Sequence, residues 1–487
     1  CKIVCADTLH MDNPQLWWPN NYGKPHLYPV SLSFEIDGKE SDRKEFQSGV
    51  RQMWVSFDKV DGSADGDPKR LNLYVNGKRL TAFGGNWGLS EHLLNYRGRE
   101  YDIAVRNHAD MNFTMIRNWV GQIYDKEFYD ACDRHGIMVW QDFWLANPAD
   151  GPDPYDVERF NETARETVRR LRNHPSIAIY VGRNEGNPPA EIDSYLAEMT
   201  AREHPGIYYL SNSADSPVSG RGPYRALPVK EYYKLFGLEK LHSERGMPCV
   251  MNIENMTRSF GKDAIDPVST LAHPNVMYGH HDYALGNVPG ASSAQRTDTF
   301  NNLMAEAFGE PEDAEEFTRW SQWLTYNGYR AIFEARSAHR RGMLLWMSHP
   351  SWPSMVWQTY DYYFEPTPAY FACRKACEPM HIQWNPLTNE VEAVSWYASE
   401  EKDLVVNAEI LNLDGSVAWQ KETGIDLGFD VDGPVHAVGA HADGVVAVGD
   451  AHAHFQQLGG NAVHVFGNDV LHHDVAACGS HGCHQFD

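Results

Sequence analysis

The stretch 177-IAIYVGRNEGNPP-189 decides how this chain is read. Ile177 to Val181 form an apolar, β-branched run of the kind buried inside a sheet. The run stops in Gly182-Arg183-Asn184-Glu185-Gly186, followed by Asn187 and two prolines. A buried strand thus delivers a cation, an amide and a carboxylate where regular structure ends. Comparable runs recur on both sides: RLTAFGGNW, NFTMIRNWV, IMVWQDFW and GIYYLSNSAD. Between them lie amphipathic segments of helix length, YDIAVRNHADM, DKEFYDACDRHG and PYDVERFNETARETVRRLRNH. Strand-helix alternation over about 300 residues predicts an α/β architecture, a (β/α)8 TIM barrel with a parallel sheet. In that architecture the C-terminal strand ends face the active site. Trp87, Arg117, Asn118, Trp119, Asp142, Trp144, Asn184 and Glu185 would then share one mouth.

Composition narrows the function. The chain has 487 residues, with 42 Lys+Arg against 66 Asp+Glu and a net charge of −24. Phosphate polyanions would be repelled, so nucleic acid is not an expected partner. No apolar run is long enough to span a bilayer as a helix, so no membrane partner is expected. Eight cysteines are too few for a disulfide scaffold. Cys373 and Cys377 stand one helical turn apart without a second pair nearby, which reads as buried thiols. The opening CKIVCADTLH carries no signal-peptide pattern, and the chain reads as a fragment or a mature form. Compartment and oligomeric state stay open.

Residues 1–75 hold short alternating segments such as YPVSLSFEID and read as a partial immunoglobulin-like β-sandwich. Residues 76–385 are the expected barrel, and 386–424 the start of a second sandwich. After Lys421 no Lys or Arg occurs and nine His appear. Residues 425–487 show no consistent period and read as a non-native or disordered tail. A metal-binding tail built on Cys478, His481, Cys483 and His484 is the rival reading, but such sites need a compact ligand framework.

Two acids stand out. Glu185 follows a buried strand without a gap, and Glu244 ends the short run in LHSERGMP. Two carboxylates at one barrel mouth are what glycoside hydrolysis requires, one protonated and one ionised. Aromatic surroundings raise a carboxyl pKa, while Arg and amide donors lower it. Trp87, Trp119, Trp144 and Trp346 offer flat faces on which sugar rings stack. Glu254 in NIENM looks like a helix start and reads as structural. His349 and His381 read as hydrogen-bonded framework.

FGGNWG, ADMNFTMIRNWVG, YDACDRHGIMVWQDFW, GRNEGNPP, LHSERGMP and the run from LLWMSHPSWP to HIQWNP resemble glycoside hydrolase family 2. The resemblance spans roughly residues 14 to 420 and points to the branch of exo-β-D-glucosaminidases and mannosylglycoprotein endo-β-mannosidases. It implies a retaining β-glycosidase without metal or organic cofactor, acting on an oligosaccharide or glycan. It also implies a barrel flanked by immunoglobulin-like sandwiches and preceded by a jelly roll. No jelly roll precedes Cys1, so the chain reads as N-terminally truncated.

By motif, Glu185 resembles the acid/base and Glu244 the nucleophile. Asn184 resembles the residue that binds the sugar 2-hydroxyl, Arg117 the nucleophile's support, and Trp346 the platform ending strand eight. Asp142, Trp144, Trp87 and Tyr224 are expected in substrate subsites. The glucosaminidase branch carries an aspartate as acid/base, whereas here Asn184-Glu185 resembles the endo-β-mannosidases, and the mannosyl reading is favoured. An exo-β-D-glucosaminidase acting on chitosan oligosaccharides stays as the alternative, because −24 suits a cationic polymer. A truncated, non-catalytic carbohydrate-binding protein is the third reading.

Overall fold

The computed structural model describes residues 10–59, 69–236, 240–286, 297–335, 341–396, 401–411 and 414–427, and the short stretches 436–438, 451–456 and 462–465. The N-terminal segment forms antiparallel hairpins. β1 (Tyr28–Ile36) pairs with β2 (Lys39–Ser48) across Asp37-Gly38, both at positive φ. β3 (Met53–Lys59), β4 (Lys69–Val75) and β5 (Lys78–Leu80) form a second sheet. Asn76-Gly77, also at positive φ, turns β4 into β5. Asp-Gly and Asn-Gly suit these turns because both central residues must be left-handed. Buried Trp17 ties the segment to the next layer by donating its indole N–H to the Asp133 carbonyl at 2.8 Å.

The main layer is a curled, seven-stranded parallel sheet. Its strands are β6 (Ala82–Trp87), β7 (Met115–Asn118), β8 (Met138–Asp142), β9 (Ile177–Arg183), β10 (Tyr208–Asn212), β11 (His242–Arg245) and β12 (Gly342–Leu345). They lie in the order β10-β9-β8-β7-β6-β12-β11. An isolated parallel bridge joins Ser219 to His242 on β11. Every residue of β7, β8 and β9 is buried. Helices cover such a sheet, so its strands read as continuous apolar runs rather than alternating ones.

The helices are α1 (Gly98–Asp110), α2 (Lys126–His135), α3 (Val157–Leu171), α4 (Ala190–Glu203), α5 (Val229–Phe236), α6 (Ile253–Phe260), α7 (Val276–His280), α8 (Asp298–Phe308), α9 (Ala314–Glu334) and α10 (Pro368–Ala376). α3 shows the local logic. Asp156 caps its first turn by accepting from the Arg159 N–H. Ala164, Val168 and Leu171 bury one face, and Arg169 and Arg170 fill the last turn. α2 stops at Gly136, whose φ of 71° favours glycine.

Past α10 the chain is antiparallel. β13 (Met380–Asn385), β14 (Glu390–Ser395), β15 (Glu401–Leu411), β16 (Val417–Leu427), β17 (His436–Val438), β18 (Ala451–Gln456) and β19 (Ala462–Val465) form two sheets, β13-β14-β17 and β16-β15-β18-β19. A second small core gathers Ile382, Val391, Ala393, Leu404, Val406 and Ala408. Because β13 pairs with β14, antiparallel structure begins at Met380, ahead of the expected boundary at 385. β17, β18 and β19 lie in the stretch read as an unpatterned tail. Residues 478–484, the rival metal motif, lie outside the described residues. Cys373 and Cys377 are buried free thiols on or just after α10.

Candidate active site

The mouth is built from the ends of β7, β8, β9, β11 and β12. Glu244 on β11 is 2 % exposed, and both its oxygens are held. Arg117 Nη1 donates to Oε1 at 2.6 Å and the Tyr224 hydroxyl donates to Oε2 at 2.5 Å. Burial is the largest influence on Glu244 and pushes its pKa up to about 7. Arg117 and Tyr224 oppose that push, while the Glu185 charge adds to it.

Arg117, fully buried at the end of β7, links the parts. Its Nη2 donates to Asp142 Oδ2 at 2.7 Å and to Asn184 Oδ1 at 2.8 Å. Its Nε lies 3.0 Å from Asp142 Oδ2, and the guanidinium carbon sits 5.4 Å from the Trp140 ring centroid. A planar fork can serve three acceptors at once, which an ammonium cannot do in this geometry. Asp142, expected among the subsite residues, is 1 % exposed. It also accepts from Trp140 Nε1 at 2.7 Å and from the Val120 N–H at 3.0 Å. Its position behind Arg117 lets it orient the guanidinium and gives it no face toward a substrate.

Glu185 sits two residues beyond β9, half-buried, in the left-handed region at φ 50°. A glutamate pays for that conformation with local strain, which here aims the side chain at Glu244. Its N–H donates to Ser213 Oγ at 3.0 Å, and Asn147 Nδ2 donates to its Oε2 at 2.9 Å. The Tyr224 hydroxyl lies 3.3 Å from its Oε1. Since the same hydroxyl is 2.5 Å from Glu244 Oε2, these two carboxylate oxygens stand no more than 5.8 Å apart. Burial and both carboxylates push the Tyr224 phenol up, so it keeps its proton.

The rest of the opening motif has structural work. Arg183 donates Nε to the Ala146 carbonyl at 2.8 Å and Nη1 to Asp153 at 2.6 Å, stapling the loop after β8. Asn184 Oδ1 is held by Arg117 and by Ser213 Oγ, which leaves its amino end as a donor. Two glycines allow close approach beside the acids. A Cβ on Gly182 would lie 2.2 Å from the Tyr209 hydroxyl, and one on Gly246 would lie 1.8 Å from the Trp346 carbonyl oxygen.

Trp346, Trp119, Trp357 and Tyr224 form an aromatic wall. The Trp119 and Trp346 rings meet edge-on at 5.0 Å, and Trp357 lies 6.1 Å from both Trp346 and Tyr224. Trp144 is half-buried, with its Nε1 on the Gly121 carbonyl at 3.1 Å. Trp87, expected to stack on substrate, is 0 % exposed. It stacks on His349 at 4.0 Å and donates to His108 Nε2 at 3.0 Å, so it belongs to the core. The β6 end that carries it is covered by α1 and by the loop holding His349. His349 bridges the Tyr360 hydroxyl and the Ser90 carbonyl, and His381 lies between Glu334 and Glu378. Both are framework. Glu254 is exposed in the first turn of α6.

Sequence reading missed Asn147, Ser213, Arg221 and Trp357. Ser213 directly follows β10 and could have been found as a strand-end residue, whereas Asn147, Arg221 and Trp357 lie in loops and only tertiary contacts bring them to the site. Among the described residues, Asp130, Asp133 and His174 are near enough to share a metal ion. They lie toward the N-terminal ends of the strands, and Asp133 already accepts from His174 Nδ1 at 2.6 Å and from the Ser176 N–H at 3.1 Å.

Residues 2–51 match the family model described as glycosyl hydrolases family 2. The mannosylglycoprotein endo-β-mannosidase of Lilium longiflorum is 29% identical over 473 residues, covering 85% of this chain and 47% of that protein. An exo-β-D-glucosaminidase of Streptomyces avermitilis is 26% identical over 466 residues, covering 87% of this chain and 48% of that one. The chain therefore spans about half the length of the curated relatives it matches. The crystal structure of the Amycolatopsis orientalis exo-chitosanase superposes with a TM-score of 0.79 at 20% identity, over 94% of this chain and 55% of that one. The matched motifs, the relatives and the shared fold agree in one direction: this chain is similar to glycoside hydrolase family 2, to relatives named as endo-β-mannosidases and exo-β-D-glucosaminidases.

Proposed function

We propose that this chain carries the catalytic barrel of a retaining β-glycosidase that cleaves β-linked mannosyl residues. We read the seven strands and the Ser219 bridge as a (β/α)8 barrel over residues 76–385, with immunoglobulin-like sandwich material on either side. The observation that supports the mechanism best is the Tyr224 hydroxyl within reach of both acids, with its 5.8 Å limit on their facing oxygens. Retaining pairs stand about 5–5.5 Å apart, whereas inverting pairs need about 6.5–9.5 Å to admit a water.

Glu244 attacks the anomeric carbon as a carboxylate, which Arg117 and Tyr224 stabilise. Glu185 gives its proton to the departing oxygen, then takes one from the water that releases the sugar. The phenol of Tyr224 has one proton and spends it on Glu244, at the shorter distance. Toward Glu185 its oxygen can only accept, which fits a protonated acid there. Asn184 offers its amino end to the sugar, and Trp346 its face.

The pairing of charges favours a neutral sugar. Arg117 occupies Asp142 and Glu244, and Arg221 occupies Asp215 at 2.5 Å. Among the described carboxylates at the mouth, Glu185 alone has no side-chain ion pair, and this reading assigns it to the leaving group rather than to the ammonium group of glucosamine. The exo-β-D-glucosaminidase reading keeps its support from the net charge and from the relative of that name.

The deciding experiment is hydrolysis of mannosyl-β-1,4-N-acetylglucosamine and of β-1,4-linked glucosamine dimer, each with a Glu185→Gln control. Cleavage of the first alone is expected. Cleavage of the second alone transfers the chain to the glucosaminidase reading, and cleavage of neither by folded protein leaves the non-catalytic binding reading.

A further inference from the structure

We propose that Asn147 fixes the transferable proton of Glu185 on one of its two oxygens, acting as a positioning residue for protonation of the leaving group. The inference rests on the reading of Glu185 as the acid/base.

Asn147 lies in the loop after β8 and donates Nδ2 to Glu185 Oε2 at 2.9 Å. The two ends of an amide are distinguished by their partners. Here Asn147 Oδ1 accepts from the Ala149 N–H at 2.9 Å, so the amino end is the one turned to Glu185. A carboxyl oxygen that accepts this N–H cannot direct a proton of its own along the same line. The proton of the neutral acid therefore sits on Oε1, the oxygen 3.3 Å from the Tyr224 hydroxyl and on the Glu244 side. That is the space a glycosidic oxygen must enter if Glu244 attacks the adjoining carbon.

The loop is held well enough to do this. Arg183 grips both the Ala146 carbonyl and Asp153, and the N–H groups of Asp150 and Gly151 close onto the Asn147 carbonyl at 2.8 and 3.2 Å. In the step itself, the Oε1–H bond of Glu185 breaks as an O–H bond forms on the leaving oxygen. The bond from the anomeric carbon to that oxygen breaks, its electron pair stays on the oxygen, and a Glu244 oxygen bonds to the carbon. The negative charge left on Glu185 strengthens the Asn147 hydrogen bond, so the amide favours the transition state over the neutral acid.

The test compares Asn147→Ala and Asn147→Asp with wild type on two glycosides of whichever sugar the disaccharide assay selects. One has a dinitrophenyl leaving group, which departs without a proton, and the other an alkyl leaving group, which needs one. The readout is the first, glycosyl-enzyme-forming step, followed in a burst experiment. Both variants should lose roughly 10- to 100-fold on the alkyl glycoside and change by about twofold or less on the dinitrophenyl glycoside. Equal losses on both substrates, or no loss on either, overturn the assignment. Labelling of Glu244 by a 2-deoxy-2-fluoro glycoside, with a thermal midpoint that stays well above the assay temperature, separates a folding failure from a chemical one. If wild type itself does not label, the catalytic reading falls and takes this inference with it.

Discussion

Glu244 lies within a strand whose four residues are all buried, and a guanidinium and a phenol hold both its oxygens at 2.5–2.6 Å. Glu185 lies beyond its strand, half-buried, at positive φ, and its side-chain hydrogen bonds among the described residues go to an amide and the same phenol. One acid is fixed at both oxygens beside a guanidinium, which supports the proposed nucleophile as a carboxylate once the pH passes about 7. The other has neutral partners, which suits a group that loses and regains a proton. Similar carboxylates thus meet different surroundings, which is the basis of the different duties proposed for them.

Replacing each acid breaks this contrast most directly. Glu244→Gln should lower kcat on the order of 10⁴- to 10⁶-fold whatever the leaving group. Glu185→Gln should cost about 10²- to 10⁴-fold on alkyl glycosides and much less on dinitrophenyl ones. Identical leaving-group profiles for the two variants would erase the distinction.

Next in size is Arg117→Met, which leaves Asp142 and Glu244 buried without their shared cation. A loss of about 3–5 kcal/mol is expected from the denaturant midpoint. Asn147→Ala, in contact with the less buried acid, should cost only about 0.5–1.5 kcal/mol. A smaller effect for Arg117 than for Asn147 would reverse the order of rigidity.

Two tryptophans sharpen the comparison between mouth and core. Trp346→Ala should raise KM several-fold, while Trp87→Phe should leave KM unchanged and lower stability by about 1–3 kcal/mol through its lost contacts. A KM effect at Trp87 would put that ring in the cleft after all.

The smallest effect concerns pH. With Glu244 pushed up to about 7, kcat/KM should rise with pH through that value as the nucleophile ionises. In stability the sign is opposite. The folded state keeps the Glu244 proton between the ordinary 4.5 and about 7, so this residue's contribution falls as pH climbs through that window. Urea midpoints measured from pH 4.5 to 7.5 for wild type and Glu244→Gln check it: the fall should be weaker in the variant.

Much of this was legible in the residues. Parallel strands covered by helices leave continuous apolar runs, and their ends mark where polar chemistry begins. IAIYVGR therefore pointed to a buried strand, and Asn184 and Glu185 to the floor of a cleft. Trp87 and Asp142 occupy equivalent strand-end positions, yet both face inward. Strand-end position does not report which way a side chain turns once neighbouring loops close over it.

By itself the sequence determined the strand-helix alternation, the parallel sheet within the expected (β/α)8 barrel and the family motifs, and it singled out two candidate acids, because these depend on local periodicity and short-range order. Tertiary structure alone decided that Asn147, Ser213 and Arg221 reach Glu185 from other loops. It also decided that Arg117 divides itself among Asp142, Asn184 and Glu244, and that Tyr224 spans both carboxylates. Those contacts join residues 20 to 127 positions apart, and no local pattern encodes a distance that only the closed packing of the strands defines.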